Sequence, residues 1–156
     1  MSSTLGATYE DRMLGDASRL KLAKWSLDDF RELVASKLMG FEREFKELHM
    51  LLFPEVLERL AHFDRVLSLP GGSLLLCGSS GVGRRSSMLL MAYMHHMEFF
   101  TPKMTRNYDV KAFRNDLKEV LKRAGVEGKP IMLFLEDYQL LDPSFLEYIN
   151  SLLSGG

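Results

Sequence analysis

Residues 74–87 read LLLCGSSGVGRRSS. Four apolar residues lead into Gly78, Ser79, Ser80, Gly81, Val82 and Gly83, and two arginines then precede two serines. A phosphate-binding loop has the form G-x-x-x-x-G-K-[ST] between a strand and a helix. Gly78 to Gly83 fills its first six positions. Glycines let successive backbone N–H groups curl inward, and the N-terminus of the next helix adds partial positive charge. That cradle needs no particular side chains, so residues 78–83 are candidates to hold the α- and β-phosphates of a nucleotide.

The next two positions depart from the pattern. Arg84 stands where the lysine is expected; it keeps the charge, but its planar fork is bulkier. Arg85 stands where a Ser or Thr would ligate Mg²⁺. A guanidinium has no lone pair to give. Ser86 carries a hydroxyl, yet one residue further along a helix turns the side chain by about 100°. Arg84, Arg85 and Ser86 are therefore candidate phosphate contacts, Arg85 as a clamp in place of metal, and Mg²⁺ is weakly supported.

Outward from the loop, the pattern is that of an α/β protein. "SLLLC" (73–77) predicts a buried strand, and a helix follows from Gly83 to about Met97. "EFFT" is a second strand. Asp109 is the expected N-cap of a helix over "VKAFRNDLKEVLKRAG", closed by Gly125. "PIMLFLED" is a third strand, and Asp142-Pro143 opens a last helix. Strand, helix, strand, helix, strand, helix predicts a parallel sheet covered on both sides.

Upstream, Leu27, Phe30, Leu33, Val34, Leu38 and Phe41 recur at helical spacing after Ser26, which with Asp29 resembles a capping box. Gly40 is expected to bend or divide this helix, and Phe45, Leu48 and Leu52 to continue its stripe. Pro54 starts a second helix, stopped by the "PGG" at 70–72. Residues 1–25 read as a frayed lead-in, 26–70 as N-terminal helices and 71–156 as the α/β part.

Composition narrows the classes. The chain has 156 residues, 46% hydrophobic and 26% charged, with a net charge of -1. That is the make-up of a globular domain, with no global field favouring nucleic acid or an anionic membrane. No apolar run approaches the roughly 18 residues of a membrane span, and the N-terminus lacks a secretory signal. The lone Cys77 cannot form an internal disulfide, as suits a reducing compartment. Adjacent His95 and His96 point about 100° apart, which suits helix capping or surface exposure better than joint metal ligation. Met88, Met91, Met94 and Met97 are expected as core filler, Trp25 as an anchor for the first helix, and 118–129 as a solvated face.

The third strand ends in Glu136-Asp137. In this the chain is similar to P-loop ATPases, in which such a strand ends in an acid that holds Mg²⁺, and to the AAA+ class, in which a second acid polarises the attacking water. The usual order there is Asp then Glu. Reversal moves each carboxylate by about 1.5 Å, and about 1 Å of misplacement can cost a factor of ~100 in rate.

With "LLFPEVLERLAHFDRVLSLPGG", "GGSLLLCGSSGVGRRSS" and the segment from Phe100 to Gly156, the chain resembles the fourth AAA+ module of a dynein heavy chain. The double arginine and reversed acids favour the heavy chains of intraflagellar transport. The resemblance covers residues 40–156. It implies a partial AAA+ fold with sheet order 5-1-4-3-2, of which strands 1–3 are present and strands 4 and 5 and the helical lid are missing. The chain is thus expected to be a fragment. It implies ATP or ADP as ligand, Glu136 toward metal and catalysis, and Asp137 toward catalysis. It places Leu51, Leu52 and Phe53 against adenine, and makes Asn107 and Tyr108 structural.

The implied partners are neighbouring AAA+ modules and, for the whole motor, microtubules and accessory chains. The implied setting is the cytoplasm, cytoskeleton and cilium. The expected function is a regulatory nucleotide site with little or no hydrolysis. Two alternatives stay open: a degenerate scaffold module that binds nothing, and a competent ATPase. A dinucleotide-binding fingerprint is disfavoured, because its third glycine would fall at Ser86.

Overall fold

The computed structural model describes residues 26–77, 81 and 83–154. These fall in two compact units that divide between His95 and His96.

The first unit is helical. Helix α1 spans Leu27–Glu44, and Ser26 caps it by accepting from the Asp29 N–H at 3.1 Å. Phe30, Val34, Leu38 and Phe41 make its buried stripe. Gly40 does not divide the helix, which runs unbroken through it. A Cβ there would lie 3.0 Å from the Tyr93 hydroxyl, so the glycine makes room for a ring that packs edge-on against Phe41. The helix stops at Glu44, short of the expected stripe: Phe45 is exposed, and Leu48 is buried from a loop whose N–H reaches Glu42 Oε1 at 2.9 Å.

Helix α2 spans Pro54–Leu67, with proline in its first turn as expected. Helix α3 spans Arg84–Met94 and buries Met88, Leu90, Met91 and Met94. Its end is set by His96 in the left-handed region (φ 52°), a position usually taken by glycine or asparagine.

Residues 73–77, expected as the first strand, form no strand, and Leu75 is 89% exposed. A strand exists only by pairing. In the order 5-1-4-3-2 the partners of strand 1 are strands 4 and 5, and no described segment ladders with it.

The second unit holds the sheet. Strand β1 (Glu98–Phe100) pairs in parallel with β2 (Ile131–Leu133), in the register Glu98–Ile131, Phe99–Met132 and Phe100–Leu133. These are the strands expected to be second and third, and they are neighbours in the implied order. So the described sheet has two strands, not three. Bonds from Glu98 N to Pro130 O and from Phe134 N to Phe100 O extend the ladder at each end.

The crossover is helix α4 (Val110–Gly125), capped by Asp109 Oδ1 on the Ala112 N–H at 2.8 Å. It ends at Gly125, but the left-handed glycine of the turn is Gly128 (φ 66°). Helix α5 spans Pro143–Ser154, behind an Asp142 that accepts from both the N–H and the hydroxyl of Ser144. Phe113, Leu117 and Phe145 form the core, with Phe113 and Phe145 stacked at 4.4 Å. Trp25 and the lead-in lie outside the described residues.

Candidate functional site

The phosphate-loop candidate belongs to the first unit. Gly78, Ser79, Ser80 and Val82 lie outside the described residues. Gly81 and Gly83 have φ of 82° and 73°, a region that L side chains rarely adopt, and a Cβ at either would meet nothing within 4 Å. The requirement for glycine is therefore conformational rather than steric. Gly83 is the N-cap of α3, and its carbonyl takes the Ser87 N–H at 2.9 Å.

Arg84, Arg85 and Ser86 share the first turn of α3, which contains no acidic residue. The N–H groups of such a turn point out of the helix end. Two guanidinium groups beside them add positive charge where a phosphate would sit. The donor set fits a nucleoside phosphate.

Leu51, Leu52 and Phe53 precede α2 in the same unit. Phe53 is 56% exposed and is the N-cap residue of α2. Leu52 is half-buried, and its carbonyl accepts from Arg31 Nη2 at 2.8 Å.

Glu136 and Asp137 belong to the second unit, beyond β2. Glu136 caps a single 3-10 turn, Asp137–Gln139. Its carboxylate accepts from the Gln139 N–H, and Tyr138 donates its hydroxyl to Glu136 Oε2 at 3.0 Å. Gln139 Oε1 accepts from the Glu136 N–H at 2.8 Å, which completes a reciprocal box. Asp137 is exposed and accepts from the Tyr138 N–H.

Sequence reasoning missed Gln139. It is 1% exposed, and its amide donates to Thr101 Oγ1 at 3.0 Å and to the Pro102 carbonyl at 2.8 Å. Nothing local marked it, because its partners are 37 and 38 residues away.

The described residues do not make a built Mg²⁺ site. Position 85 offers no lone pair. Glu136 is engaged in the cap, and no group of three His, Cys, Asp or Glu residues gathers among the described residues.

His95 is the C-cap residue of α3, one of the two readings expected of it. It is buried, not surface-exposed, with Nε2 2.8 Å from Asp64 Oδ1, between the last turn of α2 and the end of α3. Tyr108 is structural, as expected: its hydroxyl donates to Asp116 at 2.5 Å and its ring meets Phe145 edge-on. Burial first, and then the Asp116 carboxylate, push its pKa well above the usual phenol value. No helix among the described residues is long and apolar enough to cross a membrane.

A left-handed glycine opening a helix, and a parallel β-α-β unit whose second strand leads to two acids, are consistent with part of an AAA+ P-loop domain. The family described as "P-loop containing dynein motor region D4" matches residues 48–156, and the chain belongs to it. It is 70% identical over 99% of its length to cytoplasmic dynein 2 heavy chain 1 of Chlamydomonas reinhardtii, covering 4% of that protein. It is 50% identical over 86% of its length to the human protein of the same name, covering 3% of it. A cytoplasmic dynein heavy chain of Paramecium tetraurelia is 37% identical over 83% of the chain and is also covered to 3%. The chain thus spans a small part of the curated relatives it matches.

Proposed function

We propose that this chain carries a regulatory nucleotide site of a dynein heavy chain that works as a microtubule minus-end motor in retrograde intraflagellar transport. The site binds ATP or ADP with weak dependence on Mg²⁺ and hydrolyses it slowly or not at all. The observation that carries the reading is the entry to α3: a left-handed Gly83 followed by Arg84 and Arg85 in a first turn free of acids.

In this reading the Gly78–Gly83 backbone and Arg84 hold phosphates, and Arg85 clamps a second phosphate where a metal would otherwise neutralise it. Leu52 and Phe53 offer an apolar face to adenine. Glu136 and Asp137 are the acids toward which hydrolysis would turn, and their reversed order keeps it slow. A nucleotide held this way stiffens the motor ring rather than driving its stroke. The partners are neighbouring AAA+ modules and, through the whole motor, microtubules and dynein-2 accessory chains. The setting in this reading is the cytoplasm, the word carried in the names of the relatives, and the ciliary axoneme.

The test is nucleotide binding by Arg84→Ala against wild type. A charge-assisted contact contributes about 1.5–3 kcal/mol, so affinity should fall roughly 10- to 100-fold. Binding by neither protein points to the scaffold reading, whereas equal affinity in both removes Arg84 from the phosphate contact. Rapid single-turnover hydrolysis abolished by Glu136→Gln points to a competent ATPase.

A further inference from the structure

Helix α4 sorts its charges by face. Phe113, Leu117 and Val120 turn to the core. At about 100° per residue, Lys111, Arg114, Lys118 and Lys122 fall within a sector of roughly 80° away from that core, along roughly 16 Å of helix. All four are exposed, and no acid of the helix shares their sector.

The acids of the same region are engaged elsewhere. Asp109 caps the helix, and Asp116 takes the Tyr108 hydroxyl. Glu98 and Glu127 pair with Arg123 and Lys129, two cations that lie off the stripe. Glu119 stands at the edge of the sector. Among the described residues, none of the four stripe cations forms a salt bridge, and Lys122 meets Glu127 only through its field.

This arrangement works against the helix. Like charges three or four positions apart repel one another, and the stripe stacks three such steps. Lys111 also sits in the first turn, where the helix dipole disfavours a cation, and that turn has no acid to offset it. A face that costs its own helix stability and has no partner within the unit points to a role outside the chain. Beside Arg114, Leu121 is 51% exposed.

We propose that Lys111, Arg114, Lys118 and Lys122 form a docking stripe for an acidic segment of a partner protein, with Leu121 as its apolar edge. Charge complementarity selects the occupant, since a row of carboxylates meets a row of cations. The stripe is one cation wide, edged by Glu119 and bordered by a leucine, which suits a peptide better than a polyphosphate. A membrane surface is disfavoured, because the apolar face of α4 is spent on the core and cannot insert. Such docking needs no nucleotide.

In the test, the heavy chain carrying this module is mixed with an oligoglutamate peptide. A carbodiimide then joins carboxylates to the lysines they touch, and mass spectrometry reads which lysines carry the peptide. Lys118 should be linked saturably, oligoglutamine should not compete, and added salt should weaken the link. Arg114 cannot itself be linked, so Arg114→Gln isolates affinity. The peptide concentration that half-links Lys118 should rise roughly two- to fivefold, the range of one solvated ion pair.

No saturable link at Lys118 in the wild type overturns the stripe, as does a link unchanged in Arg114→Gln. Displacement by a single-stranded oligonucleotide, or by phosphatidylserine vesicles, at a lower concentration than unlabelled oligoglutamate overturns the choice of an acidic protein.

Discussion

His95 Nε2 lies 2.8 Å from Asp64 Oδ1, and the two side chains are only 4% and 11% exposed. The contact ties the last turn of α2 to the end of α3. Asp64 also takes the N–H and hydroxyl of Ser68 on its carbonyl, which anchors the same helix end. The starts of these two helices carry Phe53 and Gly83, so the pair ties the far ends of the elements that carry these candidate residues. Removing one partner strands the other in the core. His95→Ala and Asp64→Ala should each cost about 1–3 kcal/mol. The double mutant should lose clearly less than the sum, as read by urea unfolding of all four proteins.

Gly83→Ala tests the entry to α3. The φ of 73° is the relevant strain, since space for a methyl group is available. The substitution should cost about 1–2 kcal/mol and weaken nucleotide binding by tilting the first turn. If binding is unchanged while stability falls, the turn is structural and the phosphate contact lies elsewhere.

Phe145 stacks on Phe113 at 4.4 Å and is closed to solvent. Phe145→Ala should cost about 3–5 kcal/mol, and Asp109→Ala, which removes only the α4 cap, about 1 kcal/mol. Chemical denaturation followed by circular dichroism should rank them in that order.

Tyr108 gives a pH signature. Burial first, then its hydrogen bond to Asp116 and the charge of that carboxylate, raise its pKa above the phenol value. The folded state therefore favours the neutral hydroxyl. This stability is fully present below the unfolded phenol pKa and is lost as pH rises through the folded value. In a spectrophotometric titration at alkaline pH, one of the five tyrosines should ionise only as the chain unfolds. Tyr108→Phe should abolish that late step.

What the sequence made legible was local. Asp109, Pro54 and Asp142 announce helix starts because each acts on backbone within one turn. Ser26 supplies its half of the expected box on the Asp29 N–H. Two apolar runs around a capped helix marked the strands at 98–100 and 131–133, and the order 5-1-4-3-2 implied by the resemblance made them neighbours. Distance hid the rest. His95 finds Asp64 31 residues earlier, and Gln139 reaches Thr101 across 38. Gly40 makes room for Tyr93, 53 residues later in the chain. Residues 73–77 have strand composition, but a strand is a property of the pair, and among the described residues that partner is lacking. Among the candidate residues, the placement of Arg84 to Ser86 at a helix start and of the two acids beyond a strand was readable from spacing, whereas the cap that engages Glu136 was not.

The most direct measurement is hydrogen exchange across residues 76–88 of the heavy chain carrying this module, titrated with ADP in the presence of Mg²⁺ and again with a chelator. The account predicts saturable protection of this peptide in both conditions, at ADP concentrations that differ little, and its loss in Arg84→Ala. No protection in either condition, or protection that vanishes with the chelator, would contradict it.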